Sequence, residues 1–149
     1  PQEGSHRLAA VRAGGSVVYI VDDDASVRQA LARLVRSAGM RAEVFEAVPD
    51  LVTRAGSEGP DCVIADIRMP GPSGLELPGR LAQRGHRPPV IFVTAYDTEE
   101  DRAAAKRARA FAFFRKPVDG QALLDAIIWA LDTAGPAPNR EIQEMGRQS

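Results

Sequence analysis

The chain has 149 residues, 19 of them basic and 20 acidic, with 44% apolar residues, 5% aromatics and a single cysteine. That length holds one ordinary globular domain with one real core and leaves no room for two, while a lone Cys62 forms no intramolecular disulfide, so a reducing, cytoplasmic setting is expected. A formal net charge of -1 excludes a protein that holds nucleic acid or anionic lipid through bulk positive charge. No apolar run approaches the roughly 20 residues that cross a bilayer, and the charged N-terminus lacks a signal peptide's apolar stretch, so no membrane partner is expected.

Residues 1–15 carry glycines and charges without an apolar period and read as a flexible leader; Pro1 in place of Met suggests that the translated chain starts earlier. Val17 to Val21 is an unbroken apolar run of strand length, the pattern of a strand buried on both faces. It ends in Asp22, Asp23 and Asp24. From Ala25 the apolar positions Val27, Ala30, Leu31, Leu34, Val35 and Ala38 repeat with a helical period and stop at Gly39. A short strand is expected at Glu43 to Phe45, then a helix opened by Pro49 and closed by Gly56. Cys62 to Ala65 is a third strand, running into Asp66. After the loop from Arg68 to Gly74 a helix carries Leu75, Leu77 and Leu81, with Pro78 and Gly79 shortening or bending its start. Val90 to Val93 is a fourth strand, ending at Thr94. Asp97 to Ala108 is an Ala-rich, charged helix with little apolar surface, expected to be the least firmly held. Phe111 to Phe114 is a fifth strand, followed by Arg115, Lys116 and Pro117. Asp119 can cap a last helix whose face is Leu123, Leu124, Ile127, Ile128 and Leu131.

Five strands alternating with five helices imply right-handed crossovers and a mostly parallel, doubly wound α/β sheet. Ligands of such sheets gather at the carboxyl ends of the strands. Those ends carry Asp22 and Asp23, Asp66, Thr94 and Lys116. Three carboxylates in one concave edge repel one another, so a proton or a hard cation must neutralise them; Mg2+ fits, because it takes oxygen ligands and tolerates one or two carboxylates plus phosphate oxygens. A carboxylate beside such an ion can attack phosphorus and become an aspartyl phosphate. An ammonium and a hydroxyl, Lys116 and Thr94, would then meet the phosphoryl oxygens. Lysine is rare here, since 17 of the 19 basic residues are arginine, which makes Lys116 before a proline a pointed choice of a compact cation.

The strings Val18-Tyr-Ile-Val-Asp22-Asp-Asp24, Val63-Ile-Ala-Asp66-Ile-Arg-Met-Pro70-Gly, Val90-Ile-Phe-Val-Thr94-Ala and Phe113-Phe-Arg-Lys116-Pro117 resemble the receiver domain of two-component response regulators, over residues 16–132. The string from Asp66 to Leu77 resembles the nitrogen-fixation-type subgroup. The resemblance implies a (βα)5 flavodoxin-like, CheY-like sandwich with strand order 2-1-3-4-5, the order for which a chemotaxis receiver is a standard example. It further implies that Asp66 is the phosphoacceptor, that Asp22, Asp23, Asp66 and the backbone carbonyl of Arg68 hold Mg2+, that Lys116 binds the phosphoryl group, that Thr94 and Phe113 are the switch pair, and that the Lys116–Pro117 peptide is cis. The implied partners are a histidine kinase, a second copy of the chain in a phosphorylation-dependent dimer, and DNA only through an output domain absent from this chain. Such a receiver is a signalling domain rather than an enzyme in the ordinary sense, catalysing only its own phosphorylation and dephosphorylation.

The chain departs from that pattern in three places. Arg109 stands where receivers usually have glycine, which strains the backbone if φ is positive there. Pro72, and Pro78 with Gly79, put the loop after Asp66 and the following helix in question. Other residues have plain structural readings: Asp24 as a helix N-cap, Cys62 as a buried small hydrophobe, His86 as a surface turn residue, neither His6 nor His86 as a metal ligand, and Trp129 as a packing residue. The cluster Arg102, Lys106, Arg107 and Arg109 reads as a solvated face, with a partner-facing surface as the alternative. Residues 133–149 open with a Gly-Pro-Ala-Pro linker and then show a faint helical pattern at Ile142 and Met145, resembling the start of a linker helix toward a DNA-binding domain. Two rival functions remain. Asp22-Asp-Asp24-Ala-Ser26 also fits the nucleophile motif of haloacid-dehalogenase-like phosphatases, although the second acidic pair those enzymes need is badly spaced here. A degenerate receiver serving only as a binding module conflicts with the intact acidic set. No glycine-rich loop follows the first strand, which excludes a nucleotide site of that type.

Overall fold

Strands buried on both faces need helices on both faces, and the chain supplies them in alternation. A computed structural model describes residues 15–133; the expected leader and linker lie outside these residues, apart from Gly15 and Thr133. The strands are β1 (Val17–Val21), β2 (Arg41–Phe45), β3 (Cys62–Asp66), β4 (Val90–Thr94) and β5 (Ala112–Arg115). Between and after them run α1 (Ala25–Ser37), α2 (Val48–Arg54), α3 (Leu77–Gln83), α4 (Glu99–Arg107) and α5 (Gly120–Thr133), with a 3-10 turn at Gly74–Glu76 leading into α3. Every pairing is parallel and the order is β2-β1-β3-β4-β5, the doubly wound sheet that the resemblance implied.

Successive strand residues point to opposite faces and so divide the core in two. Val18, Ile20, Cys62, Ile64, Ile91, Val93 and Ala112 pack against Leu31, Ala32 and Val35 of α1 and Leu123, Ala126, Ile127 and Ala130 of α5. On the other face Tyr19, Val21, Val63, Ala65, Val90, Phe92 and Phe113 pack against α2, α3 and Ala105 of α4. The chain therefore changes face between α1 and α2, and that reversal opens a crevice between the carboxyl ends of β1 and β3.

Asp24 caps α1, accepting from the amides of Ser26 and Val27, and Asp119 accepts from the Ala122 amide at the start of α5. Pro49 and Pro78 occupy the first turns of α2 and α3, where the missing N–H costs nothing. Several sequence expectations need correction. β2 begins earlier, at Arg41, because it pairs along all of β1, and β5 is shifted by one residue, to Ala112–Arg115. α4 runs from Glu99 to Arg107 rather than from Asp97 to Ala108, with the Thr98 side chain capping its start. Ile128 is 48% exposed; the small residues Ala126 and Ala130 take the inner face of α5 that larger side chains were expected to fill. Ala30 on α1 and Ala38 at its C-cap are exposed. His86 is half-buried, its Nε2 2.6 Å from the Gly56 carbonyl, and its ring covers Gly59. Trp129 does pack, edge-on to Phe111 with ring centroids 5.9 Å apart.

Candidate functional site

The register explains why the acidic residues meet. Val21 of β1 lies beside Ala65 of β3, so the next residue of each strand, Asp22 and Asp66, emerges side by side at the crevice. Asp22 is fully buried. Its Oδ1 accepts from the Asp24 amide at 2.9 Å and its Oδ2 from Lys116 Nζ at 2.8 Å. Asp66 is 5% exposed, and its Oδ2 accepts from the same ammonium at 3.3 Å. Asp23 is exposed, yet one carboxylate oxygen from each of Asp22, Asp23 and Asp66 lies within 4.8 Å of the others. Lys116 arrives from β5 across β4: its amide donates to the Thr94 carbonyl at 2.7 Å, and the Lys116–Pro117 peptide is cis, as the resemblance implied.

Two buried carboxylates share one ammonium, and the charges respond. Burial raises the Asp66 carboxyl above the usual carboxylate range and the Asp22 charge raises it further, against the pull of Lys116 and of a hydrogen bond from the Arg68 amide. Burial works against the Lys116 ammonium, but its bonds to Asp22 and Asp66 outweigh this and hold its pKa above the ordinary lysine value. Three convergent carboxylates with a surplus of negative charge are a donor set for a hard, oxygen-seeking divalent cation, so the residues present fit Mg2+.

The remaining predicted residues lie on the two strands beyond β3. Thr94 is fully buried at the end of β4, the strand next to Asp66, and its hydroxyl accepts from the Tyr96 amide at 3.1 Å. Phe113 already points inward, 6% exposed, with the Arg102 guanidinium 5.0 Å above its ring. Arg102 also pairs with Asp97 at 2.6 Å, so it departs from the expected solvated face, whereas Lys106, Arg107 and Arg109 remain exposed. Arg109 has φ 62°, the positive value its place in the sequence threatened.

Two residues escaped the sequence reading. Gly74 passes so close to β3 that a Cβ would overlap the Asp66 carbonyl oxygen, and only the glycine at the loop's end hinted at this. Asp101 looked like an ordinary first-turn acid of α4, but it is 7% exposed and accepts from Arg68 Nε at 3.0 Å. Nothing in the spacing of positions 68 and 101 signals that pair.

In the phosphatase alternative Asp22 is the nucleophile, yet here both of its carboxylate oxygens are engaged, by the Asp24 amide and by Lys116. The response regulator receiver domain model matches residues 18–128. The transcriptional regulatory protein TdiR of Thauera aromatica is 40% identical over 129 residues, covering 87% of this chain and 55% of that protein. The crystal structure of a response regulator receiver protein from Burkholderia phymatum superposes with a TM-score of 0.69 at 40% identity, over 82% of this chain and 99% of that one. The crystal structure titled FIXJ-N, at 27% identity, gives 0.72 over 78% and 94%. The chain spans about half the length of the curated relatives it matches. Strand order, carboxylate convergence and matched sequence agree, and the chain belongs to the receiver-domain family of two-component response regulators.

Proposed function

We propose that the chain takes a phosphoryl group from a phosphohistidine of a histidine kinase onto Asp66. One observation carries this reading: Lys116 Nζ stands 2.8 Å from Asp22 and 3.3 Å from Asp66, so a buried carboxylate, its counter-cation and a second carboxylate already share one crevice. An oxygen of Asp66 attacks phosphorus as the P–N bond breaks, and the kinase imidazole leaves with its electron pair. Lys116 then meets one phosphoryl oxygen, and the Thr94 hydroxyl, released from the Tyr96 amide, meets another. Asp22, Asp23, Asp66 and the Arg68 carbonyl are the groups that would hold Mg2+, which when bound neutralises the carboxylates and polarises a phosphoryl oxygen. Loss of the group follows when water attacks phosphorus and the acyl P–O bond breaks, returning Asp66 and free phosphate.

The charge gained at Asp66 redistributes the bonds of Thr94 and Lys116 and is read at α4, β5 and Phe113, in a cytoplasmic protein whose second copy, or an output domain that binds DNA, meets that face. The receiver occupies residues 16–132 in this reading. Incubation with acetyl phosphate and Mg2+ followed by intact-mass measurement tests it: wild type gains one phosphoryl mass, Asp66→Asn gains none, and beryllofluoride shifts the wild type toward a dimer on sizing. Labelling that persists in Asp66→Asn and vanishes in Asp22→Asn would make Asp22 the nucleophile and sink the proposal.

A further inference from the structure

α4 is weakly attached by apolar contact. Of its nine residues only Asp101 and Ala105 are buried, and Ala105 offers a single methyl group. A buried carboxylate on such a helix needs a partner, and the partner comes from another part of the chain: Arg68, in the loop after the acceptor, reaches Asp101 with Nε to Oδ2 at 3.0 Å. The Tyr96 ring lies 4.9 Å from the same guanidinium and holds it from the side. At its other end, the Arg68 backbone follows Asp66 by two residues in the same loop. Arg68 is therefore a strut with its backbone in the acceptor loop and its side chain on α4. The residue after Asp101 is Arg102, whose guanidinium covers Phe113. The acceptor loop thus reaches Phe113 through two side-chain contacts, Arg68 with Asp101 and Arg102 with Phe113, joined by the first turn of α4.

We infer that Asp101 is a positioning residue. By holding Arg68 it makes the acceptor loop and the first turn of α4 move as one body, so that filling the acidic pocket is transmitted to α4 and Phe113. This rests on the proposed Mg2+ and phosphoryl site. The sequence around Asp101 supports the role, because Thr98 Oγ1 already caps the Asp101 amide at 3.0 Å and leaves its carboxylate free to face the loop.

The test uses the full chain and amide NMR. Without metal, Arg68→Ala and Asp101→Asn are each expected to speed amide exchange across residues 99–105 by about tenfold while leaving β1 and β3 unchanged. During Mg2+ titration of the wild type, amides at 22, 23 and 66–68 shift together with those at 98–105 and 113. In Asp101→Asn the pocket amides still titrate, and in both variants the α4 and Phe113 amides fall silent, with Asp101→Glu restoring part of the response. The exposed Arg68→Ala change keeps the test open if Asp101→Asn folds poorly. Unchanged exchange and an intact α4 response in Arg68→Ala would overturn the inference alone. A wild type whose pocket amides ignore Mg2+ would overturn the function on which it stands.

Discussion

Lys116 shows how much one side chain can carry. It is the cation shared by Asp22 and Asp66, whose side chains are 1% and 8% exposed. Lys116→Ala leaves two buried carboxylates facing each other and should cost about 3 kcal/mol at neutral pH by urea unfolding. The sign of the pH dependence follows from the directions. Asp66 has a folded pKa above its unfolded value, so its ionised form is the strained one, and the deficit of the variant should shrink as pH falls through that raised value. Lys116 itself is also raised, so in the wild type its stabilisation is complete below the ordinary lysine range and is lost as pH climbs through its folded value. Cys62 makes a quieter case. Complete burial pushes its thiol up to about 12, so it should resist a thiol reagent in the native protein and react stoichiometrically in denaturant, which a single colourimetric assay reads.

Among the elements, strands were the most legible. An apolar run ending in a charged residue recurs at β1 and β3, and burial on both faces leaves such runs no other assignment; β2, with exposed Arg41 and Val44, lost its first two residues to the reading because an edge strand shows no such run. Helix ends were readable where a cap or a proline marks them, as at Asp24, Pro49 and Asp119. The start of α4 was placed two residues early, at Asp97, because its charged sequence has little apolar period to mark where the helix begins at Glu99. The Arg68–Asp101 pair was illegible for a different reason: it joins residues far apart in sequence, and nothing local distinguishes a carboxylate aimed at a loop from one aimed at water. Arg109 after α4 was legible, through its departure from glycine. Its φ of 62° predicts that Arg109→Gly raises stability by about 0.5–1 kcal/mol, the relief of backbone strain exceeding the extra chain entropy of glycine, visible as a higher thermal midpoint.

At the scale of the whole molecule, the reversal of winding direction between β1 and β3 places the acidic pocket, and that reversal was borrowed from the family resemblance rather than read from the residues. Because the three carboxylates converge only in the folded chain, a cation that binds them binds the native state preferentially. Mg2+ at about a hundred times its dissociation constant should therefore stabilise the wild type by about 2.7 kcal/mol, measured by thermal unfolding, with the gain abolished in a chain carrying Asp22→Asn and Asp23→Asn together.

The attachment of α4 has a consequence for the solution around the protein. Arg68 and Arg102 hold that helix through charged groups that are 47% and 31% exposed, and mobile ions screen such groups over about 8 Å at physiological ionic strength. The grip on α4 should slacken as electrolyte concentration rises, while the greasy contacts of α1 and α5 do not. How firmly α4 is held is thus set partly by the salinity in which the protein finds itself.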